Sequence, residues 1–329
     1  MATSGTFVFA DPDGYAAKFG DARVNLTITG AGDFNARLTR VKLMHLEICR
    51  FRESLPRIAY ISLPPDRIYL SFPVGKAPLI FNGFTVRDGD IILHGLGASM
   101  HQQSSRECQW GLITLSPHHL SSCSKALTGR SIEPPPVGRI LCPPRAQVSS
   151  FQRLFRQACH LTETRPKLIE HPEVARALEQ QMLHAIINCL AAGEADDSPK
   201  NSPMTNAPKT RHRHASVMVC FEGALNKHIG QKLNMPALCA AIGVPERTLR
   251  SCCGEFLGVS PMRYLLLRRL NKARSALQHA DSSTASVAQI ARHHQFLEPG
   301  RFAVTYRTTF GETPSATLER APQSSAEGA

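Results

Sequence analysis

The chain has 329 residues, an apolar share of 42% and a net charge of +12. That length suits two domains, each with its own core, and that apolar share excludes wholesale disorder. No run of about eighteen apolar residues exists, which excludes a membrane-spanning helix.

The start, MATSGTFVFADPDG, lacks the basic and apolar regions of a secretory signal. Ten cysteines occur without a Cys-x-x-Cys pair, so no zinc ribbon or finger fits. Free thiols without a signal lead to the expectation of a reducing cytosol. The positive charge is concentrated. Lys209–Arg320 holds sixteen Lys/Arg against seven Asp/Glu, a field that attracts a polyanion.

Residues 1–116 read as β. Short apolar runs alternate with turn signals every eight to twelve residues, as in a sandwich or barrel. The expected strands are Thr6–Phe9, Val24–Thr29, Lys42–Cys49, Arg57–Ser62, Arg67–Phe72, Leu79–Phe81, Phe84–Arg87, Asp90–His94 and Trp110–Leu115. Turns fall at Asp11–Gly14, Gly30–Gly32, Pro64–Asp66, Asn82-Gly83 and Asp88-Gly89; Asn-Gly tolerates φ > 0 at both residues.

The period then changes. Phe151, Leu154, Phe155, Ala158 and Leu161 share one helical face, as do Val174, Leu178, Met182, Ile186 and Leu190. These helices of 117–192 form a hairpin, and their stripe packs on the β part or on a second subunit; self-association is the favoured expectation. Residues 193–214, rich in Pro, Ser, Asn and charge, read as a linker ending in a basic arm, Lys209–His214.

Residues 215–320 carry two helix-turn-helix patterns, each closed by Gly-x-[Ser/Thr]-Pro. A first helix runs from Ala215 to Gly230 and buries Val219, Cys220, Leu225 and Ile229. Pro236 suits the first turn of the next helix and Gly243 the tight turn after it. In the third, Leu249, Cys253 and Phe256 bury, while Arg247, Arg250 and Ser251 face outward, as major-groove reading requires. Met262 to His279 forms a connecting helix of roughly 27 Å. It buries Tyr264, Leu267, Leu270, Ala273 and Leu277 and carries Arg263, Arg268, Arg269, Lys272 and Arg274 on its surface. In the second recognition helix Phe302, Tyr306 and Phe310 bury, and Arg301, Ala303, Val304, Thr305 and Arg307 flank the outer face. Successive major grooves are about 34 Å apart, so the connecting helix and its two units span that step. The tail from Ala321 reads as disordered.

With those residues in view, 215–320 resembles the tandem helix-turn-helix domain of the AraC/XylS family of bacterial transcription regulators. Leu238, Gly243, Leu249, Gly258 and Pro261 carry the resemblance in the first half. Tyr264, Arg269, Leu270, Ala273, Arg274 and Leu277 carry it in the connecting helix. Ile290, Ala291, Phe296, Phe302, Phe310, Gly311, Thr313 and Pro314 carry it in the second half. Pro245 and Gly300 depart from the usual Ser, Gln295 from a turn Gly, and Ser251 and Val304 from a frequent Arg.

The resemblance implies DNA contacts by Arg247, Thr248, Arg250, Ser251, Gly300, Arg301, Ala303, Val304, Thr305 and Arg307. The N-terminal half, 1–192, is similar to the β-barrel sensor domains of ethanolamine-utilisation-type regulators. That implies a cupin-like barrel that binds an effector, dimerises, or both. The expectation is an α+β two-domain chain: a cytoplasmic, non-enzymatic transcription activator, binding double-stranded DNA and acting with RNA polymerase. A small-molecule effector controls it, and no cofactor or membrane is involved. The alternative is a cupin-type metalloenzyme with a DNA-binding appendage. Its candidate ligands, His94, His101, His118 and His119, lack the expected intervening Glu and read as satisfied or surface histidines. Cys252 and Cys253 read as one buried and one half-exposed thiol.

Overall fold

A computed structural model describes residues 4–195, 209–228 and 233–320. The N-terminal elements are β1 (Gly5–Phe9), α1 (Pro12–Ala16), β2 (Arg23–Ile28), β3 (Ala36–Lys42), β4 (Leu46–Glu53), β5 (Arg57–Ser62), β6 (Ile68–Pro73), β7 (Leu79–Phe81), β8 (Phe84–Val86), β9 (Ile91–Leu93), β10 (Ser99–Ser104), β11 (Cys108–Leu115), α2 (Pro117–Thr128), β12 (Arg139–Leu141), α3 (Arg145–Thr164), α4 (Pro166–Ile169) and α5 (Pro172–Ala195). The C-terminal elements are α6 (Lys209–Lys227), α7 (Met235–Ile242), α8 (Glu246–Leu257), α9 (Pro261–Gln278), α10 (Val287–His293), α11 (Pro299–Phe310) and α12 (Pro314–Glu319).

The strands form two sheets rather than the closed barrel expected. One has the order β1-β3-β4-β11-β6-β9-β12, the other β2-β5-β10-β7-β8. Alternation along each strand divides the side chains between layers. In β4, Cys49 and Phe51 point between the sheets, while Leu46 and Ile48 point outward under the helices. α3 and α5 cover that outer face with Phe151, Phe155, Ala158, Met182, Ile186 and Leu190. The apolar stripe expected to serve a second subunit is thus buried within its own chain. Gly111 on β11 is required by this packing, since a Cβ there would lie 2.4 Å from the Phe72 ring and 2.8 Å from Phe155.

Several expected boundaries move. Lys42–Cys49 is not one strand: β3 and β4 turn between them, with Leu43 N–H donating to the Leu46 carbonyl at 2.9 Å. Asp11–Gly14 is not a simple turn but the start of α1, whose Asp11 carboxylate accepts from Asp13 and Gly14 N–H. β10 reads SMHQQS, with too little apolar alternation to stand out; pairing with β5 and β7 makes it a strand.

The C-terminal helices pack on the outer face of the five-stranded sheet, where Ile58 joins their core. Four layers result: helices, sheet, sheet, helix-turn-helix region. Lys209–His214 belongs to the first turns of α6 rather than to a free arm. On α6 the phase differs from expectation. Val219 and Cys220 are exposed, and Val217, Met218, Phe221 and Leu225 are buried. The tail from Ala321, most of the 193–214 linker, Ile229 and Gly230 lie outside the described residues.

Candidate nucleic-acid interface

In the first unit, Asn234 caps α7 by accepting from Ala237 N–H. Gly243 closes α7 at φ 74°, the left-handed region that glycine enters freely. α8 then buries Leu249, Cys252, Cys253, Phe256 and Leu257. Its opposite face exposes Arg247, Arg250 and Ser251, with Thr248 half-buried. The Arg250 guanidinium is held by Glu246 one turn earlier, at 2.6 Å on the surface. Cys252 is fully buried beside Cys253, against the expectation of a half-exposed thiol. Burial pushes the Cys252 thiol up to about 11 and Cys253 higher still, so neither forms a ready thiolate.

In the second unit, Gln295 sits at φ 64°, accepting the strain that a turn glycine would avoid. α11 buries Phe302, Tyr306, Thr309 and Phe310. Gly300, Arg301, Val304 and Arg307 are exposed, and Ala303 and Thr305 are half-buried. Val304 is 67% exposed, an isopropyl group on an otherwise polar face. The Thr305 hydroxyl donates to the Arg301 carbonyl at 2.8 Å, which leaves its methyl as the free contact. Arg301 touches Glu298 only loosely, at 4.0 Å on the surface.

α9 joins the units. It has eighteen residues, roughly 27 Å at 1.5 Å each. Ser260 caps it by accepting from Arg263 N–H, and Tyr264, Leu267, Leu270, Ala273 and Leu277 bury as expected. Its cations are less free than the sequence suggests. Arg274 is buried, donating to the Gly32 carbonyl and to Glu312. Arg268 pairs with Glu222 at 2.6 Å, and Arg269 lies over the Phe296 ring at 4.9 Å.

Glu222 is the residue that sequence reasoning missed. It is fully buried and accepts from His101 Nε2 at 2.9 Å, the Tyr264 hydroxyl at 2.8 Å and Arg268. Burial alone would raise its pKa; the bonds from His101, Arg268 and Tyr264 outweigh that and hold it below the usual carboxylate range. A lone acid inside the apolar run Phe221–Leu225 was the available signal. His101 belongs to β10, so this cluster fastens the helix-turn-helix region to the sheet. Asn271 adds a second fastening, exchanging two 2.9 Å bonds with the Ile28 backbone. Gly32 N–H adds a third, donating to the Phe310 carbonyl at 3.1 Å.

The four histidines considered as ligands are dispersed. His94 Nε2 bonds the Ser71 hydroxyl at 2.6 Å, His101 bonds Glu222, His119 stacks on His45 at 4.4 Å, and His118 is exposed. Among the described residues, no three His, Cys, Asp or Glu side chains converge. Between the sheets, Glu53 and Arg57 form a fully buried pair at 2.7 Å. Tyr15, Trp110 and Cys108 also bond the Glu53 carboxylate.

Residues 238–320 match the family described as a helix-turn-helix domain. The chain is similar to the probable thc operon regulatory protein of Rhodococcus erythropolis, 39% identical over 98 residues, 30% of each chain. It is also similar to XylDLEGF operon transcriptional activator 2 of Pseudomonas putida, 31% identical over 102 residues, 30% of this chain and 65% of that one. The match therefore spans under a third of the first relative and less than two thirds of the second. Among solved structures, the AraC-like transcriptional activator CuxR aligns over 83% of this chain and 96% of its own, at 13% identity and a TM-score of 0.41.

Proposed function

We propose that this chain, whose C-terminal residues form an AraC-type helix-turn-helix domain, regulates transcription by reading two successive major-groove segments of double-stranded DNA. The observation that carries this reading is the pair of recognition helices. Each buries an aromatic or aliphatic face and leaves arginines exposed, and a single capped helix joins them.

α8 supplies the hydrogen-bonding reader. Arg247 and Arg250 contact guanine edges, with Thr248 and Ser251 beside them. α11 contributes Arg301 and Arg307 as polar probes, while Ala303, Val304 and the Thr305 methyl meet thymine methyls and Gly300 allows close backbone approach. Residues 1–192 act as the sensor, 193–214 as the linker and 215–320 as the reader. A small-molecule effector binds the sensor. RNA polymerase contact, a homodimeric state and a cytoplasmic location complete the proposal; no described helix is long and apolar enough to cross a membrane.

The test is a genome-wide binding map followed by affinity measurements on a recovered site and on random DNA. A strong preference for the recovered site is expected. A steep salt dependence with equal affinity for both would leave only charge-driven, non-specific binding.

A further inference from the structure

A cavity of about 210 Å³ opens at the end of the sandwich, where the first helix-turn-helix unit meets it. Its floor is Phe81, His94 and Met100, all buried side chains from β7, the end of β9 and β10. Phe256 of α8 and Ala215 of α6 close it from the DNA-reading side. At its mouth stand Leu96 and Val137, 44% and 45% exposed, two large apolar side chains left facing water. Deeper between the sheets, the space is filled by the Glu53–Arg57 pair and by Tyr15, Phe51 and Trp110, stacked or bonded around it.

The chemistry of this lining restricts what it takes. No Lys, Arg, Asp or Glu lines the cavity. His94 is no cation either, because burial lowers its pKa to about 3. A carboxylate or phosphate placed here would lose its hydration and find no counter-charge. Of the polar side chains in the lining, Asn82 already accepts from His101 N–H and Ser99 already donates to the Ser62 hydroxyl, so His94 is the anchor left for a ligand. His94 uses Nε2 for Ser71, and its Nδ1 has no hydrogen-bond partner among the described residues. A hydroxyl suits either tautomer of that ring, since it both donates and accepts. The volume sets the size: an apolar cavity of about 150 Å³ holds benzene, so this one takes a ring with one or two small substituents.

We propose that this cavity is the effector site, and that its ligand is a compact, neutral, hydroxyl-bearing molecule about the size of a substituted benzene ring. The proposal rests on the regulatory reading above for its consequence and deepens it by naming the ligand class. A ligand seated here touches Phe256 and Ala215 as well as the sandwich. It therefore binds the docked arrangement of the two regions differently from any undocked one, which is what couples an effector to DNA reading.

The experiment uses the full chain without DNA. Thermal unfolding is followed with increasing benzyl alcohol, cyclohexanol or benzoate, in the parent protein and in two variants. A ligand that binds only the folded state raises the midpoint with the logarithm of its concentration. Benzyl alcohol is expected to give that rise and benzoate to give none. Ala98→Leu, which fills the cavity, should abolish the rise. Val137→Asp alters only the exposed mouth, keeps the fold, and should weaken the response. The proposal is overturned if neither alcohol raises the midpoint, if benzoate raises it equally, or if the benzyl alcohol response is unchanged in Val137→Asp. DNA binding enters none of these readings, so their failure leaves the proposed DNA contacts standing, and failure of those contacts leaves the cavity standing.

Discussion

At the scale of single residues, side chains of the same type differ in what holds them. Arg247 and Arg250 both lie on the exposed face of α8, but Arg250 is tied to Glu246. Replacing either arginine with Ala is expected to cost roughly 1–3 kcal/mol at the preferred DNA site and to relax one base preference. Equal losses on every sequence would reassign the side chain to phosphate contact. His94 gives a pH prediction. Its folded-state pKa of about 3 lies below the ordinary 6.5, so folding favours the neutral ring. Its contribution to stability is full above pH 6.5 and is lost as pH falls toward 3. Between pH 6.5 and 4.5 the parent should lose on the order of 2 kcal/mol more than His94→Gln. Unfolding midpoints measured across that range check it, and parallel curves would refute it. Thiol accessibility offers a third check: of the ten cysteines only Cys220 is exposed, so it should react first with an aromatic disulfide reagent in the native protein. The spacing in the sequence placed Arg247 and Arg250 on the exposed face of α8, where the structure has them. It did not show that Arg274 is buried: Arg274 falls on the same stripe as Leu270 and Leu277, but an arginine there reads as surface until the Gly32 carbonyl and Glu312 give it a place inside.

At the scale of elements, legibility followed periodicity. The α9 stripe and the aromatic spacing of α11 were plain because an amphipathic helix repeats its apolar face. β5 and β7 were plain because turn residues bounded short apolar runs. β10 and the phase of α6 were not. β10 carries polar side chains on both faces: the Gln102 side chain accepts from Arg57 inside the sandwich beside Met100, and His101 and Gln103 bond the helix-turn-helix region outside it. On α6, Glu222 occupies a core position and shifts the apparent stripe toward Val219. Packing of α3 on the large sheet can be tested at Gly111. Gly111→Ala forces a Cβ against the Phe72 and Phe155 rings and should destabilise by roughly 1–3 kcal/mol, read as a lower unfolding midpoint. A midpoint equal to the parent's would mean that the rings give way freely.

At the scale of the whole molecule, the two halves are not beads on a string. Leu270, Ala273, Leu277, Ala291, Phe302 and Tyr306 belong to the same apolar cluster as Phe51, Ile61 and Trp110. The composition of 193–214 set a linker between the halves, but composition says nothing about docking. A fragment of residues 209–320 should still bind DNA, because Leu249, Phe256 and Tyr264 still pack together around α8 and the rings of Phe296, Phe302, Tyr306 and Phe310 still contact one another along α11. It should melt below the intact chain, having lost His101 from Glu222 and the Ile28 backbone from Asn271. A folded fragment that binds no DNA would show that the reading surface lies elsewhere.

The Glu222 cluster also has a consequence for recombination. The matched relatives share stretches of 98 and 102 residues with this chain, and the helix-turn-helix family match covers 238–320, which leaves out Glu222. A helix-turn-helix region grafted over 238–320 alone carries nothing of its own selected to meet His101 or the Ile28 strand edge. Chimeras joined at the linker should therefore fold as two weakly attached bodies. Placing Glu222, Tyr264, Arg268 and Asn271 in the graft should restore the attachment, which makes those four positions, rather than the linker, the joint between the two regions.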